Sequence, residues 1–262
     1  MTRLKSITST LTIAGSDSGG GAGVQADLKT FAALGVHGLS AITCITAQNP
    51  AAVLGVQAVT ATTLRLQLRA ISDGFKPGAM KTGMLYSRAL IGVAAEFAAS
   101  HRQIPLVVDP VMIATSGAQL LNGSALSALI KVLLPLATVI TPNVPEAEWL
   151  TGSRIANLED QRRAARELVE RFGCAVVVKG GHVRGAEAAD IYFDGAEELL
   201  LTAPYLHGIK THGTGCTFSA AIAAHLAQGR TISAAVVSAK QFITQAIAGS
   251  KQAGRYTVLW PG

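Results

Sequence analysis

Five short apolar runs, each followed at once by a polar or glycine-rich turn, constrain what this chain can fold into. They are Leu11–Ala14, Leu39–Thr46, Leu106–Val108, Thr138–Ile140 and Ala175–Val178. Strands apolar on both faces are buried on both, as in a parallel sheet covered by helices. Helical patterns lie between them. Val24, Leu28, Phe31 and Ala32 share the apolar face of a helix closed by Gly35. Leu64–Ser72, Arg88–Ala99, Ser124–Leu134, Glu159–Phe172, Thr217–Gln228 and Ile232–Ala248 are the further helices. In the fourth of these, Ala165, Leu168, Val169 and Phe172 keep helical spacing, and Gly173 suits the C-cap. Strands and helices alternate without a repeat or a linker. The expectation is one α/β unit over residues 1–262 with a mostly parallel central sheet.

The turns carry the chemistry. Ile13-Ala14 runs into Gly15-Ser16-Asp17-Ser18-Gly19-Gly20-Gly21, and Val107-Val108 into Asp109-Pro110. Val139-Ile140 runs into Thr141-Pro142-Asn143, and Val177-Val178 into Lys179-Gly180-Gly181. All four lie after strands, so they collect at one edge of the sheet. Open α/β sheets bind ligands outside the carboxyl ends of their strands.

Composition narrows the ligand. The chain has 262 residues, 49% of them apolar, with mean hydropathy +0.38, which excludes general disorder. Lys and Arg number 22 against 16 Asp and Glu, a net +6. These cations are dispersed, and Arg162-Arg163 is the longest basic run, without interleaved aromatics. Nucleic acid is therefore not expected as a partner, and a phosphorylated ligand fits the excess. Thr30–Leu64 has no Asp, Glu, Lys or Arg, but Gln48-Asn49-Pro50 interrupts it. It is expected to be a buried segment rather than a membrane span. Cys44, Cys174 and Cys216 form no C-x-x-C pair, and the first twenty residues have no long apolar run. Reduced thiols in the cytoplasm are expected.

The loop at Gly15–Gly23 fails the G-x-G-x-x-G spacing, because Val24 stands where the third glycine is needed, and no G-K-[ST] follows it. Its small residues let backbone approach a ligand closely. Asp27, in the next helix, either supports the helix dipole or accepts a hydrogen bond from a ligand. Asn143 and Glu146 have the spacing of a capping box, which does not exclude a carboxylate that holds hydrated Mg²⁺. Lys179, which ends a buried strand, suits a phosphate. Gly213-Thr214-Gly215-Cys216 opens an amphipathic helix with Phe218, Ala221, Ile222 and Leu226 on its apolar face. Its free N–H groups suit an anion, and a thiol at that terminus is expected to have a lowered pKa.

Together these segments resemble the ribokinase-like superfamily, and within it the hydroxymethylpyrimidine/phosphomethylpyrimidine kinases of thiamine biosynthesis. The matching stretches are Ile13–Gly35, Thr46–Pro50, Lys81–Leu85, Val107–Met112, Thr141–Ala147, Val177–His182 and Thr211–Ala224. The resemblance implies a three-layer α/β/α fold, ATP and Mg²⁺, and two successive phosphorylations of 4-amino-5-hydroxymethyl-2-methylpyrimidine. It implies that Gly15, Asp27, Gln48, Met84 and Cys216 line the pyrimidine. Asp109, Asn143 and Glu146 match the Mg–ATP region, with Asp109 and Glu146 toward the metal. Lys179 matches a nucleotide-phosphate contact, and Gly213–Cys216 the anion hole. A homodimer is implied as well. Most superfamily kinases end the anion-hole motif in Asp, where this chain has Cys216, as the pyrimidine kinases do. Thr115 stands where family members often carry Lys. The nearest rival is a pyridoxal or pyridoxine kinase on the same scaffold. A non-catalytic pyrimidine sensor is opposed by the intact phosphate apparatus, and a nicotinamide oxidoreductase by the missing fingerprint.

Overall fold

A computed structural model describes residues 6–112, 123–181, 187–205 and 212–260. Thr115, His182 and Thr211 lie outside them. The chain runs β1 (Ser9–Asp17), α1 (Gly23–Ala33), β2 (His37–Asn49), β3 (Ala52–Ala58), α2 (Ala61–Gly74), β4 (Ala79–Thr82) and α3 (Arg88–Ser100). It continues through β5 (Leu106–Val108), α4 (Gly123–Ala128), β6 (Val139–Ile140), α5 (Val144–Thr151), α6 (Leu158–Phe172), β7 (Ala175–Lys179), β8 (Glu187–Phe193) and β9 (Glu198–Pro204). Last come α7 (Thr214–Ala227), α8 (Ile232–Ala248) and a small hairpin of β10 (Lys251–Ala253) and β11 (Tyr256–Val258).

The first nine strands form one sheet in the order β3-β2-β1-β4-β5-β6-β7-β8-β9. β2, β1, β4, β5, β6 and β7 are parallel neighbours, whereas β3, β8 and β9 pair antiparallel at the two ends. Alternate residues divide the strands between two cores. Leu11, Ile13, Met80, Leu106, Val108, Ile140, Val176 and Val178 pack under α2 to α6. Ala79, Val107, Val139, Ala175 and Val177 face α1, α7 and α8. This is the three-layer α/β/α arrangement. Winding starts at β1, goes one way to β2 and then the other way to β4. The crevice between the carboxyl ends of β1 and β4 is thus the topological switch point.

Several expectations change. β2 runs on to Asn49, with a register shift between Ala47 and Gln48, so Gln48 lies within a strand rather than after one. The uncharged stretch is not uniformly buried. Ile45 and Leu54, on the β2–β3 extension, are 57% and 79% exposed. Among the described residues β3 is an edge strand, with a strand neighbour on one side only. Ala32 is exposed, and the inner face of α1 instead carries Asp27 and Thr30. α7 is not amphipathic: every residue from Thr217 to Leu226 is buried, because α1, α8 and the sheet surround it. The helix expected over Ser124–Leu134 is α only to Ala128, then π over Leu129–Leu133 and 3₁₀ over Leu134–Leu136, where Pro135 removes a donor.

The turn after β7 is fixed from beneath. The Gln161 amide donates to the carbonyls of Val178 (2.8 Å) and Ala189 (3.1 Å). Gly180 N–H donates to Asp190 Oδ1 at 2.9 Å, and Lys240 Nζ pairs with Asp190 Oδ2 at 2.8 Å. A Cβ on Gly180 would stand 2.0 Å from the Ala189 carbonyl oxygen. Gly180→Ala should therefore cost about 1–3 kcal/mol. Thermal melts should register this as a fall in Tm of roughly 3–10 °C, and an unchanged melt would show that the turn relaxes freely.

Candidate active site at the carboxyl edge of the sheet

Asp17, the last residue of β1, organises the glycine-rich loop. Its carboxylate accepts backbone N–H groups from Gly19 (2.8 Å), Gly21 (3.1 Å) and Ala22 (2.8 Å). His212 Nε2 lies 3.4 Å from Asp17 Oδ2. Burial opposes the charge, but the His212 ring and the N–H donors outweigh it and hold the Asp17 carboxyl down at about 2. The anion-hole turn lies on this loop. Gly213 has φ +87°, and a Cβ there would come within 1.7 Å of the Gly21 carbonyl oxygen, so only glycine fits.

The positions assigned to the pyrimidine lie around the switch point. A Cβ on Gly15 would stand 2.7 Å from Cys44 Sγ and 3.7 Å from Met84 Sδ. Thr43 Oγ1 donates to the Met84 carbonyl at 2.7 Å and fixes that turn. The Gln48 amide lies 3.4 Å from His212 Nε2. Asp27 lies beneath this group rather than at its surface. It is fully buried, accepts from Thr12 Oγ1 at 2.6 Å, and meets Lys81 Nζ at 2.9 Å with both oxygens. Burial opposes the Lys81 ammonium, but the Asp27 carboxylate outweighs it, so Lys81 stays charged.

A second group gathers at the ends of β5, β6 and β7. Lys179 Nζ donates to Asp109 Oδ1 at 3.0 Å. Thr141 Oγ1 and Ser219 Oγ each reach the Asp109 carboxylate at 3.3 Å. Burial works against the charge on Asp109, yet Lys179 and Lys81 keep its carboxyl below the ordinary range. The Asn143–Glu146 capping box is present: Glu146 N–H donates to Asn143 Oδ1 at 2.9 Å and Asn143 N–H to Glu146 Oε2 at 2.8 Å. Glu146 is also buried. Desolvation and the Asp109 carboxylate push it up to about 7, against Lys179. Among the described residues no cluster of three or more His, Cys, Asp or Glu side chains is arranged to hold a metal ion. Two buried carboxyls that share one lysine do fit a hydrated Mg²⁺ whose remaining ligands come from a nucleotide.

Gly213 caps α7 without a side chain, and Thr214, Gly215 and Cys216 form its first turn. A Cβ on Gly215 would lie 3.2 Å from Lys179 Nζ. The helix terminus thus stands between the two groups, with N–H donors toward the crevice. The expected low pKa of the Cys216 thiol is overturned. Burial pushes it up to about 11; Asp27 and Asp109 add to this, while Lys81 and the Gly23 N–H oppose it. The helix dipole is outweighed by desolvation and two carboxylates. Cys216 is a thiol at rest, half-buried, and all three cysteines are free.

Thr12, Asp17, Lys81 and His212 were missed. Asp17-Ser18-Gly19 is an Asx-turn signature that sequence reasoning can use. Lys81 had no local signal, since its partner is 54 residues away.

Residues 17–259 match the phosphomethylpyrimidine kinase family. The chain belongs to this family. The hydroxymethylpyrimidine/phosphomethylpyrimidine kinase of Bacillus subtilis is 46% identical over 243 residues, which cover 92% of this chain and 90% of that one. The phosphomethylpyrimidine kinase structure from Clostridium difficile superposes with TM-score 0.81 at 44% identity, over 92% of this chain and 99% of that one. An ADP complex of Bacillus subtilis pyridoxal kinase superposes with TM-score 0.90 at 39% identity, over 97% of each chain. Family membership makes the protein a kinase.

Glu146 allows a direct test of the electrostatics. A carboxyl held near pH 7 in the folded chain, against 4.5 ordinarily, binds more protons folded than unfolded. Stability therefore falls as pH rises from about 4.5 to about 7 and stays lowered above that. Glu146→Gln keeps an oxygen for the capping box and removes the charge. It should gain roughly 1–3 kcal/mol over the parent near pH 8 and little near pH 5. Denaturant titrations at the two pH values measure this; equal shifts at both would mean that Glu146 does not titrate in that window.

Proposed function

We infer that the chain is an ATP-dependent kinase that phosphorylates 4-amino-5-hydroxymethyl-2-methylpyrimidine on its hydroxymethyl oxygen, and then the monophosphate to the diphosphate, in thiamine biosynthesis. One observation carries this reading within the family: the first turn of α7, with Cys216, stands between the Gly15–Met84–Gln48 group and the Lys179–Asp109 pair. An acceptor and a nucleotide on either side of that terminus would meet at its N–H groups. Pyridoxal kinase remains the second reading, since a close structural relative is one. The Gln48 amide, which can both donate and accept along a ring edge, supports the aminopyrimidine.

In the first step the hydroxymethyl oxygen bonds to the terminal phosphorus of ATP, and the bond from that phosphorus to the ADP oxygen breaks. Charge on the transferred group is met by the N–H groups of Thr214, Gly215 and Cys216, and Lys179 steadies the nucleotide phosphates. Asn143 fixes Glu146 beside the nucleotide. Mg²⁺, held through water by Glu146 and Asp109, would neutralise phosphate charge. Cys216 takes the hydroxyl proton once its own proton has left. In the second step the nucleophile is a phosphate oxygen already ionised near pH 7, with a second pKa of about 6, and needs no base. The cytoplasm and a homodimer complete the proposal. The free thiols support the first, and exposed Ile45 and Leu54 supply an apolar edge for the second. No described helix is long and apolar enough to cross a membrane.

ATP turnover on a panel of the pyrimidine, its monophosphate and the B6 vitamers tests the assignment. Turnover of both pyrimidines is expected; turnover of the vitamers alone would favour the second reading. Gln48→Ala should raise the pyrimidine KM by an amount worth roughly 1–3 kcal/mol, with the ATP KM little changed. Cys216→Ser should lower kcat for the free pyrimidine on the order of 10²–10⁴-fold and hardly touch the monophosphate. For the parent, first-step kcat should rise with pH above neutrality, since the thiol loses its proton only near 11. Equal losses in both steps, or a flat first-step profile, would assign Cys216 to packing alone.

A further inference from the structure

Lys81 is fully buried, and two of its N–H bonds go to the two oxygens of Asp27 at 2.9 Å each. Thr12 Oγ1 holds the second of those oxygens at 2.6 Å. Gly83 leaves room for the ammonium, since a Cβ there would lie 3.0 Å from Nζ. An ion pair this deep is a poor way to gain stability, because apolar residues of the same volume do as well or better. Its position suggests another use. Lys81 comes from β4 and Thr12 from β1, the two strands that flank the switch point. On α1, Asp27 is one helical turn after Gly23, and a Cβ on Gly213, at the start of α7, would stand 3.2 Å from the Cα of Ala22, just before α1. The pair therefore lies under the first turn of α7. Charged groups face Cys216 from four elements: Lys81 on β4, Asp27 on α1, Asp109 after β5 and Lys179 at the end of β7. Asp109 has its own cation in Lys179 at 3.0 Å. Lys81 is likewise paired, with Asp27, yet it is the cation that most offsets the carboxylates at the sulfur.

We propose that Lys81 is a positioning residue for phosphoryl transfer: its ammonium, fixed by Asp27 and Thr12, stabilises negative charge on the Cys216 sulfur. When the thiol gives its proton to water, the charge forms opposite Lys81, and the sulfur can then take a proton from the acceptor hydroxyl. No electrons are exchanged. Asp27 sets the strength of the effect, because it neutralises part of the ammonium.

The consequence for turnover rests on the kinase reading, but thiol reactivity tests the charge relation without any substrate. The full chain is treated with iodoacetamide over a range of pH, and modification of Cys216 is followed by peptide mass spectrometry, with buried Cys44 and Cys174 as internal references. Near pH 8.5, Lys81→Gln should slow alkylation of Cys216 by roughly threefold or more, and Asp27→Asn should speed it by roughly tenfold. Lys81→Arg should return the rate to within about twofold of the parent. Opposite signs for the two neutralising variants, with normal far-ultraviolet spectra, are not expected of a packing role. Unchanged rates, or shifts in one direction for both, overturn the proposal. If Lys81→Gln does not fold, isosteric Asp27→Asn decides: a faster reaction supports the proposal, an unchanged or slower one overturns it. Should the reactivities shift as stated while the parent fails to turn over either pyrimidine, the kinase reading falls and the role of Lys81 stands.

Discussion

Asp109 and Glu146 share one lysine in surroundings from which water is largely excluded, and much of the edge chemistry follows from that shortage of positive charge. Asp109 takes the direct contact with Lys179 and stays ionised. Glu146, desolvated and facing Asp109, keeps its proton up to about pH 7. Above that pH the pair carries one charge more than Lys179 balances. A divalent cation that arrives with a nucleotide would relieve that deficit. The same carboxyl closes the capping box of α5, which explains how a buried acid is held in one rotamer while its charge varies.

The winding of the sheet decides where this charge collects. Because β1 lies inside the sheet with β2 and β4 as its neighbours, the connections leave on opposite sides and the crevice between β1 and β4 stays open. Thr12 and Lys81 point from those strands toward α1, which returns Asp27 to them. α7 covers the crevice only because Gly213 and Gly21 pack backbone to backbone, at a distance that no side chain tolerates. The N–H groups at the α7 terminus and the buried charges are thus brought together by one close helix approach.

Much of this was legible in the sequence. Leu106–Val108 is a strand with the expected bounds, and Leu11–Ala14 and Ala175–Val178 lie inside longer strands, because continuous apolar runs report burial on both faces. The edge elements were not legible. β3 and β8 are half-exposed or carry charge, and β4 has four residues, one of them Lys81. A lysine in a short run reads as surface unless its counter-charge is local, and Asp27 is not. The family resemblance points to Met84, Gly15 and Gln48 and does not single out their neighbours Cys44 and His212. The Cys216 thiol departs from the expectation because desolvation of the half-buried sulfur and two nearby carboxylates together outweigh the helix terminus.

The raised Cys216 pKa also bears on why position 216 holds a thiol, where most of the superfamily has a carboxylate. Asp27, Asp109 and Glu146 already crowd the crevice, with Lys81 and Lys179 as their cations. A fourth carboxylate at the terminus of α7 would add a fixed negative charge at the point where negative charge must develop. In a site that first takes a neutral alcohol and then a phosphate monoester, a permanent anion beside the nucleophile would also repel the second acceptor. A thiol that stays protonated to about 11 is neutral toward the monoester. On the proposed reading it still offers a basic sulfur to the alcohol after losing its proton. On that reading the balance between Lys81 and Asp27 sets how costly that ionisation is, and one position serves two nucleophiles of different charge without any movement of the first turn of α7.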